Sequence, residues 1–381
     1  MININPLVKQ MTPFIVMEVL EKASEMEKQG INIIHLEVGE PDFNMPESAV
    51  QAKIDALNNG YTHYTHSLGD LELRQAIARL YEKEYGVEVD PECIVVTSGS
   101  SPAILMALMV LCSSDDEIIL SNPGYPCYRN FVLACHAIPK LVRVSAESGF
   151  NYDIEQVKKI ISSRTRAIMV NSPMNPSGTL VKEETFKELA KLGVPIISDE
   201  IYHGLVYEGK AHSILEYTKN AFVVNGFSKR FAMTGLRLGY LIAPKEYVRS
   251  LQILQQNLFI CAPSTAQKAA LVALNEGGKE VELMRNTYNK RRKYMLSRLR
   301  EMGFVIKTEP LGAFYILADA TKFTKDSYRF AFDVLEKAHV GITPGVDFGS
   351  NGEGFVRFSY ANSIENIEEG LNRLERYLSA L

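Results

Sequence analysis

The chain has 381 residues, 46% hydrophobic and 23% charged, with 41 Lys and Arg against 45 Asp and Glu for a net charge of −4. At roughly 150 residues per domain, that length suggests two domains or three, and the composition excludes a disordered, collagen-like or disulfide-scaffold chain. There is no surplus of positive charge to hold a nucleic-acid backbone or an anionic membrane, so small-molecule chemistry is expected, with neither as a partner.

The N-terminus MININPLVKQ has no apolar signal core. The longest apolar stretch, Ala103 to Cys112, is ten residues long; a bilayer needs about 20. The five cysteines are scattered and form no C-x-x-C pair. They read as idle thiols in a reducing cytosol, so a cytoplasmic location is expected.

From about residue 90 to 245, short apolar runs alternate with helical patterns. IVVT (94–97), EIIL (117–120), AIMV (167–170), PIIS (195–198), FVV (222–224) and YLIA (240–243) read as buried strands. Helical stretches run from Pro102 to Leu111, Asp153 to Ile161 and Lys182 to Leu192. Strand and helix in alternation predict an α/β domain with a mainly parallel sheet. Residues 245–303 read as strongly helical. After them, GFVIKT, GAFYILA and GFVRFSYA, with helices Ser327–Ala338 and Ile364–Leu378, form a smaller α+β unit. The expected division is 1–45, a segment packing with the small unit; 46–280, the large domain; and 281–381, the small one.

Ligands of open α/β sheets bind beyond the carboxyl ends of the strands. Here those ends lead into Ser98-Gly99-Ser100-Ser101, SNPGYPCY, NSPMNPSGT, Asp199-Glu200-Ile201-Tyr202 and NGFSKR. Taken singly, each has a bland reading: a lysine there is usually a solvated turn residue and an aspartate a helix cap. Their order along the chain carries the information.

That order resembles a fold-type I aminotransferase using pyridoxal 5′-phosphate (PLP), of the class I/II aspartate, alanine and aromatic group. The most specific stretch is Ser228-Lys229-Arg230-Phe231-Ala232-Met233-Thr234-Gly235-Leu236-Arg237, a lysine followed eight residues later by an arginine. Supporting it are Gly39-Glu40-Pro41-Asp42-Phe43, Tyr64-Thr65 with Gly69, Asn175-Pro176-Ser177-Gly178, Asp199 to Tyr202, and Arg357-Phe358-Ser359. Leu236 stands where many members carry tryptophan. The resemblance implies a seven-stranded, mainly parallel sheet in the large domain, a smaller α+β domain, and a homodimer with shared active sites.

It also implies roles. Lys229 bonds covalently to the cofactor aldehyde and later moves the substrate proton, which requires a neutral amine. Asp199 faces the pyridine nitrogen and keeps the ring an electron sink. Tyr202 and Asn175 donate to the ring's phenolic oxygen. Ser100 and Ser101, at a helix start, meet the phosphate with Ser228 and Arg237. Tyr125 stacks on the ring, and Tyr64 reaches the phosphate of the neighbouring subunit. Arg357 takes the substrate carboxylate in a bidentate fork, with Gly39 and Asn175 beside it.

The His63-x-x-His66 pair lacks a third ligand at metal spacing, so no metal is expected. No G-x-G-x-x-G or G-x-S-x-G motif appears. The expected activity is transamination from an L-amino acid (aspartate-like, alanine or aromatic) to a 2-oxo acid such as 2-oxoglutarate, by a ping-pong cycle. A PLP-dependent C–S lyase, decarboxylase or related lyase is the first alternative, and a non-catalytic regulatory protein of the same fold the second. Arg129 is a candidate second cation for a dicarboxylate; Phe14, Ile15 and Tyr315 are candidates for an apolar pocket.

Overall fold

The computed structural model describes residues 4–381. Its strands in chain order are β1 (Ile34–His35), β2 (Ile94–Thr97), β3 (Glu117–Asn122), β4 (Ile138–Arg143), β5 (Thr165–Asn171), β6 (Ile196–Asp199), β7 (Ala221–Gly226), β8 (Gly239–Ile242), β9 (Tyr315–Asp319), β10 (Val340–Gly341), β11 (Thr343–Pro344) and β12 (Phe355–Ser359). Seven of them form one sheet in the order β2-β8-β7-β6-β5-β3-β4. Only β8 runs against its neighbours; the pairs β3–β4, β3–β5, β5–β6 and β6–β7 are parallel. This is the mainly parallel α/β sheet that the alternating pattern predicted.

The sheet is covered on both faces, which explains the near-continuous apolar runs. Along β5, Ile168 and Val170 point into one core and Ala167 and Met169 into the other. Every residue of β2, β6, β7 and β8 is buried. Strand β4 has no counterpart among the predicted runs. It is one of the two edge strands, and unlike β2 at the other edge it is partly solvated: its sequence is IPKLVR, and only Val142 is buried. A half-solvated edge has no need of the apolar run by which the others were found.

The helical stretch after residue 245 is three helices, Lys245–Leu258, Ser264–Glu276 and Gly278–Met302. The first break falls where Ile260 adopts φ +67° and Pro263 precedes the next helix. GFVIKT forms no strand: Val305 makes one isolated bridge to Asp319. Beyond it, Lys307 pairs with Glu147 and Thr308 bonds to the Ala146 carbonyl, so this segment turns its polar side chains to the large sheet's flank.

β11, β12 and β9 form a three-stranded sheet, and β1 pairs with β10 in parallel. Helices Ser327–Ala338 and Ile364–Ser379 lie against these strands, capped by the side chains of Asp326 and Ser363. The N-terminal helix Ile15–Lys28 buries Val19, Ala23 and Met26 against Leu335 of Ser327–Ala338. No helix of the described residues is long and apolar enough to cross a membrane.

Candidate active site

A cavity of about 340 Å³ opens at the carboxyl ends of the parallel strands. Of the twelve residues to which the sequence gives cofactor or substrate roles, nine line it: Gly39, Ser100, Ser101, Tyr125, Asn175, Asp199, Tyr202, Lys229 and Arg357. Ser228, Arg237 and Tyr64 do not.

Asp199 ends β6. Its carboxylate is 5% exposed and accepts from Tyr128 OH at 2.6 Å and from Ile201 N at 3.1 Å. Burial pushes its pKa up to about 6, against the pull of those two donors and of Lys229. Lys229 follows β7, and its Nζ donates to the Gly39 carbonyl at 2.6 Å. Loss of solvent pushes its amine down to about 8; Glu40 opposes that shift, while Arg237 and Arg357 reinforce it. Near neutral pH a useful fraction of the amine is therefore unprotonated, as a nucleophile or base requires.

Arg357, on β12, is 2% exposed. Its Nη1 donates to Asn175 Oδ1 at 2.9 Å and its Nη2 to the Glu37 carbonyl at 2.6 Å and to Thr343 Oγ1 at 3.1 Å. The guanidinium lies 4.2 Å from the Tyr315 ring centroid. No carboxylate of the described residues pairs with it, and its Nε is buried without a partner. A buried cation with neutral partners and no counter-ion, on the wall of a cavity, is an anion site.

Helix Ser100–Leu111 starts at Ser100, so Pro102 is its third residue rather than its first. Gly99 caps it with φ +108°. A Cβ there would stand 2.8 Å from Arg237 Nη2, so glycine is what lets the guanidinium close on the helix start. Arg237 holds φ +52°, a left-handed conformation uncommon in a non-glycine residue. It does not line the cavity, but it sits beside the start of helix Ser100–Leu111, where free N–H groups and a guanidinium together suit an anion. Ser228 is buried next to Lys229. Tyr64 is 81% exposed and away from the cavity.

Tyr202 OH and Tyr315 OH are 3.0 Å apart. Tyr125 meets Phe14 and Tyr128 edge-on, with centroids 5.9 and 5.1 Å away. Phe14 and Tyr315 thus line the cavity, as the apolar-pocket reading expected. Ile15 and Arg129 do not: both face a neighbouring cavity, and Arg129 Nη1 donates to the Gln10 carbonyl. Sequence reasoning missed Tyr128 and Asn171. The first lies one helical turn after Tyr125. The second ends β5 and holds the Asn175 turn by accepting from Asn175 N at 2.8 Å.

The profile described as "Aminotransferase class I and II" matches residues 31–374. The chain belongs to the class I and II aminotransferases. It is 41% identical over 371 residues to the (5-formylfuran-3-yl)methyl phosphate transaminase of Methanocaldococcus jannaschii, covering 96% of this chain and 97% of that one. It is 36% identical over 369 residues to an aspartate aminotransferase of Pyrococcus horikoshii, covering 95% and 93%. The structure of Thermus thermophilus aspartate aminotransferase with maleate superposes with a TM-score of 0.94 at 36% identity, covering 99% of this chain and 100% of that one. This aminotransferase therefore has the type I fold and depends on PLP. The residues fit that cofactor: an amine and a carboxyl share the cavity, and the Gly99–Arg237 cradle supplies an anion site at a helix start.

Proposed function

We propose that the aminotransferase moves the amino group of an L-amino acid with a neutral side chain, alanine-like or aromatic, to a 2-oxo acid whose side chain is likewise neutral, since donor and acceptor occupy the one pocket in turn. In this reading Lys229 carries the cofactor, Asp199 faces its ring nitrogen, and Tyr202 and Asn175 face its phenolic oxygen. Ser100, Ser101, Ser228 and Arg237 hold its phosphate, and Tyr125 covers its ring. When bound, PLP withdraws electrons from the Cα bonds of an amino acid attached to it.

The chain's own residues do the rest. Arg357 and the main chain at Gly39 hold the substrate carboxylate, which fixes the direction of the Cα–H bond. Lys229 Nζ, kept partly neutral by burial, takes the Cα proton and returns it elsewhere. Asp199, supported by Tyr128 and Ile201, supplies negative charge opposite.

The buried Arg357 guanidinium, hydrogen-bonded to neutral groups but without a carboxylate partner among the described residues, carries the assignment of the carboxylate end. Elsewhere the lining is apolar at Phe14, Val16, Met17, Leu20 and Ile104, and its charged side chains besides Lys229 and Arg357 are the acidic Glu37, Glu40 and Asp199. Within one chain a dicarboxylate therefore meets no second cation beyond Lys229 and Arg357. Tyr64, exposed with Leu57, Tyr61 and Ile260, suits a homodimer in which it completes the partner copy's site.

The test is a half-reaction panel. Holoenzyme is mixed with single amino acids and its visible absorbance followed. Alanine, phenylalanine and tyrosine are expected to discharge the lysine-bound absorbance faster than aspartate and glutamate. A preference for aspartate would overturn the donor assignment. Continuous turnover without any oxo acid would point instead to a lyase.

A further inference from the structure

The segment from Glu37 to Gly39 offers two main-chain carbonyls to the site. Glu37 O accepts from Arg357 Nη2 and Gly39 O from Lys229 Nζ, each at 2.6 Å. Main-chain pairing fastens the segment only up to Leu36, through Leu36 N to Gly341 O and Ser359 N to Leu36 O. From there its position depends on side chains.

Glu37 is 0% exposed, and a carboxylate in such a place needs a partner. Its Oε1 lies 2.6 Å from His35 Nδ1, while Oε2 has no partner. Oε2 lies against Gly341, where a Cβ would come within 2.0 Å. The other imidazole nitrogen, His35 Nε2, lies 3.2 Å from Glu27 Oε1, on helix Ile15–Lys28. The first turns of that helix supply Val16, Met17 and Leu20 to the cavity wall.

We propose that His35 is a positioning residue for substrate-carboxylate recognition: its imidazolium joins Glu37 to Glu27 and so fixes the Glu37 carbonyl against Arg357, and with it the adjoining main chain at Gly39. This rests on the reading of Arg357 as the carboxylate anchor. The hydrogen bond to Glu37 and the charges of Glu37 and Glu27 push the His35 pKa up to about 9 against desolvation. Among the described residues no other charged group engages the ring. Arg373, from helix Ile364–Ser379, is taken up by Asn32 and Glu369. Asn362 donates to the His35 carbonyl, and β10 presents Val340 and Gly341.

The experiment uses holoenzyme and two ligands: the fastest donor from the panel, and that donor's amine-free carboxylate (propanoate for alanine, 3-phenylpropanoate for phenylalanine). His35→Gln is expected to raise KM for the donor and Ki for the carboxylate about tenfold, with kcat changed less than about threefold and cofactor retained. In wild type, Ki rises as pH passes about 9, where the imidazolium is lost; the variant lacks that rise. Glu27→Gln removes the half-exposed arm of the clamp, which leaves the buried pair in place should His35→Gln fail to fold. It is expected to move the wild-type inflection to lower pH.

Unchanged Ki in both variants, or the wild-type inflection persisting in His35→Gln, overturns the proposal. An Arg357→Gln arm separates the two claims. If it loses carboxylate binding while His35→Gln and Glu27→Gln behave as wild type, the clamp alone fails. If it binds as wild type, the reading of Arg357 fails and the clamp with it.

Discussion

Tyr128→Phe removes one oxygen from beneath the cavity and leaves the shape nearly unchanged. The wild-type Asp199 carboxyl accepts two hydrogen bonds, and with both in place burial sets its pKa at about 6. A hydrogen bond to a charged acceptor contributes about 1.5–3 kcal/mol, and about 1.4 kcal/mol corresponds to one pKa unit. Losing the 2.6 Å bond therefore raises Asp199 by about one to two units in the cofactor-free protein. The folded value already lies above the ordinary 3.8, so ionising Asp199 lowers stability progressively as pH rises through about 6. In the variant the decline continues to higher pH. Chemical denaturation of the apo forms should give a small difference at pH 5, where both carboxyls are largely protonated, and about 1.5–3 kcal/mol at pH 8.5. Cofactor affinity at pH 7 should fall about two- to tenfold, since there the variant acid is about half to nine-tenths neutral while the wild-type one is largely ionised. An equal stability loss at both pH values, with unchanged cofactor affinity, would refute this account of Asp199.

Three further outcomes follow from the same geometry. Arg357→Lys keeps the charge but loses the planar fork, so KM for the donor should rise at least tenfold, roughly the effect of one charge-assisted hydrogen bond, as steady-state kinetics would report. Gly39→Ala places a Cβ 2.6 Å from Tyr315 OH, and thermal melting should show a loss of about 1–3 kcal/mol as the Tyr202–Tyr315 contact gives way. Mixing Tyr64→Ala with Lys229→Ala subunits, each nearly inactive alone, should restore roughly a quarter of wild-type activity if two copies share their sites, because half the dimers are mixed and each then holds one intact site. No restoration would place Tyr64 outside the neighbour's site.

Much of the fold was readable because a sheet covered on both faces leaves continuous apolar runs between helices. Five of those runs end at residues that now ring the cavity or sit beside it. Strand β4 escaped notice because an edge strand need not be apolar, and its Lys140 and Arg143 look like loop residues. The lysine–arginine spacing of 229 and 237 survives as geometry, although Arg237 meets the site through Gly99 rather than through the cavity wall. Tyr128 could not be paired with Asp199 from the sequence: 71 residues separate them, and a tyrosine one turn into an amphipathic helix reads as core. His35 ends the two-residue strand β1 and Glu37 lies two residues beyond it, a position in which only the fold shows the carboxylate turned inward. Tyr64 is the opposite case, since its expected contact lies on a second copy.

The central claim is that one buried amine, opposite Asp199, bonds to PLP. Holoenzyme can be reduced with borohydride, digested and mapped by mass spectrometry. The account predicts one reduced pyridoxyl group per chain, on Lys229, and none after Lys229→Ala. A label on any other lysine, or no label despite full occupancy by the cofactor, would contradict it.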